Sequence, residues 1–143
     1  MPAVREQIFA AIETALAGVG GAAEVLRMPP GDPATFPAVH IFDEGQEPEE
    51  GEAGTERFAL NVGIDGYVQQ ADGAAAHTAI HALYAAVIEA LFPQPYLGGL
   101  VEEIDQGRLN VNVAERASKR RMAFSLDLTI HYATRRGSPQ VID

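Results

Sequence analysis

The sequence predicts an α+β fold with two helices packed on one face of a mostly antiparallel sheet of about five to six strands, in the order α-β-β-β-α-β-β-β. From Met122 to Thr134, the residues Met122, Phe124, Leu126, Leu128, Ile130 and Tyr132 alternate with Ala123, Ser125, Asp127, Thr129, His131 and Ala133. Successive strand side chains point to opposite faces, so this run is a long strand with one apolar and one polar face. Phe58, Leu60, Val62, Ile64 and Val68 against Ala59, Asn61, Asp65, Tyr67 and Gln69 repeat the pattern. Two such strands imply an antiparallel sheet covered on one side. Two helices cannot cover both faces of six strands. Asn61, Asp65, Ser125, Asp127, Thr129 and His131 are therefore expected to face water or a partner subunit.

The elements follow in order. Val4, Ile8, Ile12, Ala15, Leu16 and Val19 recur at helical spacing and Gly18, Gly20 and Gly21 close the segment, which predicts a helix over 3–18. Residues 22–28 form a short strand candidate, ended by Pro29-Pro30-Gly31-Asp32-Pro33. Residues 37–44 read as a strand with Val39 and Ile41 on one face and His40 and Phe42 on the other. Gly45 ends it, and 45–55, rich in Gly and Glu around Pro48, is expected to be a mobile acidic loop. Residues 56–70 form the next strand. Asp72 then caps a helix to about Leu91 with Ile80, Leu83, Tyr84, Val87 and Leu91 on its face, stopped by Pro93 and Pro95. Strands over 100–105 and 109–114 are expected to join through Gln106-Gly107-Arg108 as a hairpin-like turn. A charged turn over 115–121 leads into the last strand, and 137–143 is a short tail. The chain is expected to be one domain, 1–143.

Composition narrows the function. With 47% hydrophobic and 21% charged residues the chain is of ordinary globular composition. No apolar run reads as the roughly 20 residues of a bilayer span, and the N-terminal segment lacks the apolar core of a signal peptide. The expectation is a protein that stays in the cytoplasm. The absence of cysteine excludes disulfides, thiolate metal sites and thiol catalysis. A net charge of -10 argues against a dedicated nucleic-acid binder. Seven acids and no base fall in the fourteen residues 43–56, while six of the ten basic residues, Arg116, Lys119, Arg120, Arg121, Arg135 and Arg136, lie toward the other end of the chain. Acidic and basic segments of this kind can satisfy each other within one copy, or pair head to tail between neighbours and close into a ring.

The chemical candidates are sparse. His77 and His81 stand at i and i+4 of the second helix, a metal-binding spacing, but Thr78 replaces the glutamate of the zinc protease motif, and partly buried helix histidines are the simpler reading. Asp127 and His131 share a strand face about 13 Å apart, too far for direct contact. His40, near Asp43 and Glu44, reads as a sheet-surface histidine. No phosphate loop, nucleophile elbow or calcium-loop spacing is present, and no cofactor is implied. A small hydrolase or ligand-binding domain built on His40, His77, His81 or His131 is the alternative from a different class.

The opening helix Val4-Arg5-Glu6-Gln7-Ile8-Phe9-Ala10-Ala11-Ile12, the strand Phe36 to Asp43, the strand end Ile64-Asp65-Gly66-Tyr67-Val68, the helix segment His81 to Val87 and the closing strand Phe124 to Thr134 together carry a resemblance. In this order of elements the chain resembles the tail terminator (tail completion, minor tail protein) family of long-tailed bacteriophages and prophages. The resemblance implies a subunit of a hexameric ring that caps the tail tube, stops tube polymerisation and presents a surface to the head–tail connector. It implies no enzyme activity, cofactor or membrane partner, with assembly in the host cytoplasm and residence in the virion tail. Another neck or head-closure component is the nearest alternative. Within a ring, the charge split suggests that Glu47, Glu49, Glu50 and Glu52 contact Arg116, Arg120 and Arg121 of a neighbour.

Overall fold

The computed structural model describes residues 1–116 and 119–143, with side chains described for all of these but 114–116, 119 and 120. The elements are α1 (Val4–Leu16), β1 (Glu24–Arg27), β2 (Ala38–Glu49), β3 (Thr55–Gln70), α2 (Gly73–Leu91), β4 (Glu103–Arg116), β5 (Lys119–Arg135) and β6 (Ser138–Ile142). The sheet runs β1-β2-β3-β5-β4, and β6 pairs with the end of β5. Among the described residues only the β1–β2 pairing is parallel.

The amphipathic alternation places the core. Met122, Phe124, Leu126, Leu128, Ile130 and Tyr132 of β5 and Leu60, Val62, Ile64 and Val68 of β3 are buried beneath the helices. Val4, Ile8, Ile12 and Leu16 of α1, and Ala76, Ile80, Leu83, Val87 and Leu91 of α2, supply the facing stripes. The Asp72 carboxylate accepts from the Ala75 amide at 2.8 Å, capping α2 as its position predicts. By length and composition α2 is apolar enough to cross a membrane, contrary to the reading from the sequence. Ile80, Leu83, Val87 and Leu91 of this helix are instead buried in the core.

Three local expectations change, the first two for one physical reason. β4 is a single strand rather than two joined by a turn. Gln106 pairs with Leu128 and Leu109 with Leu126, so Gly107 and Arg108 oppose the single residue Asp127. This bulge shifts the alternation by one and keeps Ile104, Gln106, Leu109, Val111 and Val113 on one face. Likewise β2 does not end at Gly45. A bulge between Asp43 and Gln46, with Gly45 at φ +89°, resets the phase, and β2 continues to Glu49 opposite Arg57. Pro48 is tolerated because β1 pairs only with residues 38–41, leaving the outer edge of β2 open there. The acidic segment is thus mostly strand, with only 50–54 between β2 and β3. The C-terminal tail forms β6, turned back by Gly137 at φ +75°. Of the expected charged turn, residues 117 and 118 lie outside the described residues.

Candidate functional site

The histidines do not converge. His40 is buried, not on the sheet surface, and its Nε2 lies 2.7 Å from Glu24 Oε2. The bond to His40 holds the Glu24 carboxyl below its usual range. Asp65, opposite His40 on β3, has its carboxyl raised by burial, and burial together with the Asp65 carboxylate pushes the Tyr67 phenol up to about 12. The hollow beside Tyr67, lined by Phe36, Arg121 and Met122 among others, measures only about 70 Å³, well under the ~300–1,000 Å³ of small-molecule sites. Hollows of about 480, 400 and 410 Å³ lie elsewhere, and none of these three is lined by a histidine. His77 and His81 meet edge to face with ring centroids 4.1 Å apart and are exposed rather than partly buried. Among the described residues no group of three His, Cys, Asp or Glu side chains could hold a metal.

His131 has partners that its own strand does not predict. On the polar face of the sheet its Nδ1 lies 2.7 Å from Glu49 Oε1 and its Nε2 2.8 Å from Asp105 Oδ2. A ring that donates from both nitrogens is an imidazolium. Burial pushes its pKa down, but the hydrogen bonds to Glu49 and Asp105 outweigh that and raise it. The clamp joins β2 to β4 across β3 and β5. Because the folded chain holds this proton more tightly than the unfolded one, the contribution is complete below the ordinary histidine pKa of about 6.5 and is lost as pH rises through the raised value. Thermal denaturation should therefore give higher stability at pH 6 than at pH 8, by about 1 kcal/mol or less given the exposed carboxylates. His131→Gln should flatten that limb, and an unchanged slope would contradict the clamp.

The clustered basic residues divide between the two ends of the sheet, with Arg135 and Arg136 at the acidic end and Arg116, Arg120 and Arg121 at the other. Glu49 pairs with Arg57 of β3, whereas Arg121 pairs with Gln69 of the same strand. Twelve residues of strand separate those positions, about 40 Å at roughly 3.3 Å per residue. Arg116, Arg120 and Arg121 therefore do not meet the acidic segment within one copy, whereas Arg135 and Arg136 lie beside it. At the acidic end, Arg57 reaches Glu52 at 3.4 Å and also bonds Glu102, and Arg136 reaches Glu56 at 3.5 Å. Glu47 and Glu50 are exposed. At the basic end, Arg116 closes β4 and Arg120 lies opposite Gln70 and Glu115, by backbone register. Arg121 is not free to reach outward. Its Nε donates to Gln69 Oε1 at 2.8 Å, and its guanidinium sits 4.8 Å from the centroid of Phe36.

The arm formed by β4 and β5 carries a feature that sequence reasoning missed. Leu109, Val111 and Val113 lie on the helix-side face, opposite Leu126, Phe124 and Met122, yet are 38%, 40% and 55% exposed. Nearer its start, β4 buries Ile104, and Gln106 accepts from the Tyr84 hydroxyl of α2 at 2.7 Å. Beyond that contact the stripe is open. The alternation with Asn110 and Asn112 was visible in the sequence; the reach of α2 was not.

No protein-family model matches the chain, and no curated protein matches it. Among solved structures it is similar to a chain of the virion of a native gene transfer agent (GTA) particle, at 24% identity and a TM-score of 0.55. The similarity covers 90% of this chain and 92% of that one, so the arrangement of helices and strands is shared over nearly the full length of both.

Proposed function

We propose that the chain is a structural subunit of a phage or prophage tail, assembling head to tail into a ring that caps the tail tube. The ring ends tube polymerisation and forms the surface for head joining, without a catalytic step or cofactor. The observation that supports this reading is the distance, about 40 Å along the strands, between Arg116 and Arg120 at one end of the sheet and the exposed Glu47 and Glu50 at the other, groups that only successive copies could bring together. Such contacts are heterologous and close into a ring when the rotation fits. A stagger of about 40 Å along the strands would give six copies a ring radius of about 40 Å. The shared fold with a chain of a virion supports the same reading, as does the resemblance in element order to tail terminators. The acidity, net -10, suits a ring that passes DNA without holding it. Assembly would take place in the host cytoplasm, with tail tube protein and head–tail connector as partners.

The test is to add the protein to polymerising tail tube protein encoded in the same gene cluster. Electron microscopy with a labelled subunit should show tubes that stop growing and carry label at one end. Tubes of unchanged length with bare ends would overturn tail capping and favour a head-closure or connector role.

A further inference from the structure

We infer that the free protein pairs two-fold with a second copy through the outer edge of β4, a resting form that covers this edge before assembly. β4 borders only β5, so the other edge of a fourteen-residue strand has no strand partner among the described residues. Every residue from 105 to 113 is exposed, on both faces of the strand. Long open edges with apolar side chains pair with other chains unless they are covered. This edge carries Leu109, Val111 and Val113 on the helix side and Asn110 and Asn112 on the polar side.

The edge is complementary to itself. A two-fold axis normal to the sheet makes the two strands antiparallel and keeps both helix layers on the same side. With Val111 opposite Val111 of the second copy, Leu109 meets its Val113 and Asn110 its Asn112, so the two apolar stripes join into one patch. The bulge at Gly107 and Arg108 takes up one residue of register. Asp105 therefore falls opposite Arg116 by backbone register, once on each side of the axis, and opposite charges at directly paired positions stabilise a sheet. Asp105 Oδ2 already bonds His131, yet the aspartate side chain is 60% exposed. Moving the axis to Asn112 would set Leu109 against Glu115 and Arg116 against the bulge that bears Arg108, and moving it to Asn110 would set Val113 against Gln106. A single strand pair falls short of the roughly 1,000 Å² of stable interfaces, so the dimer is transient. Arg116 serves this contact and the head-to-tail one, so the two compete and the ring draws copies out of the dimer.

The chain has no cysteine, so single cysteine substitutions report the register without background. Directly paired antiparallel residues have Cα atoms about 4.5–5.5 Å apart, within disulfide reach, whereas a displacement of four residues along the strands adds about 13 Å. Val111→Cys, Leu109→Cys and Val113→Cys, each at an exposed position, are checked for folding by circular dichroism and oxidised with copper phenanthroline at equal protein concentration. Covalent dimer is followed on non-reducing gels. Val111→Cys should cross-link at least tenfold faster than either other variant alone. A mixture of Leu109→Cys and Val113→Cys should give the mixed dimer at least tenfold faster than either like dimer, which tests the same register without Val111. Equal rates for the three variants, or a mixture with no preference for the mixed dimer, overturn the pairing. The readout uses no tube protein, so its failure leaves the ring reading standing, and a failure of tube capping leaves the pairing standing.

Discussion

Arg116→Glu with Arg120→Glu is expected to convert the assembled protein to monomers, read as a fall in mass by light scattering at unchanged secondary structure. Each exposed ion pair is worth only about 0–1 kcal/mol. Reversal does more than delete it. It sets two new carboxylates against the Glu47–Glu52 segment of the neighbour, and like charges juxtaposed across an interface cost several kcal/mol. The penalty recurs at every subunit contact of a ring. Arg121 is left out of this test because its guanidinium is held by Gln69 and Phe36 and its loss would disturb the sheet itself. Combining the reversal with Glu47→Arg and Glu50→Arg should restore assembly. Raising salt should loosen the wild-type assembly, since the screening length falls from about 10 Å at 0.1 M to about 3 Å at 1 M. Retention of full mass by the arginine double variant at low salt would rule out the charge pairing.

Gly66→Ala should be the most damaging single methyl group in the core, costing about 3 kcal/mol. A Cβ at residue 66 would stand 2.1 Å from Phe124 Cε2 and 2.6 Å from its Cζ. Gly66 pairs directly with Phe124, whose ring lies across the glycine where a side chain would otherwise be. Phe124 is 1% exposed and meets the edge of Tyr84 with centroids 6.0 Å apart, so it has no open space to move into. Urea denaturation measures the loss. Gly66→Ala combined with Phe124→Leu should lose less than the two single changes added together, because the shorter side chain relieves the clash. Strict additivity would contradict the packing account.

The strands β3 and β5 and both helices were legible because one signal, apolar periodicity, runs unbroken through each of them. Legibility failed where the period changed. At Gly45 and at Gly107-Arg108 a bulge shifts the alternation by one residue, so a continuing strand looks like a strand followed by a loop or a turn. Tertiary contacts hid the rest. Glu24 reaches His40 across the parallel β1–β2 pair, and His131 takes partners from two other strands. Such pairs depend on which strands become neighbours, which spacing along the chain does not encode. The charge split was visible as composition. The register of β3 divides it, setting Arg120 and Arg121 at one end of the strand and Arg135, with the acidic residues, at the other.

The central claim, head-to-tail assembly, is tested most directly by the mass in solution. Size exclusion with light scattering across a concentration series, at low and moderate salt, should give a closed oligomer near six subunits that loosens with salt, or a monomer that assembles when tail tube protein is added. A strict monomer of 15.2 kDa at every concentration and salt, indifferent to tube protein, would contradict the account.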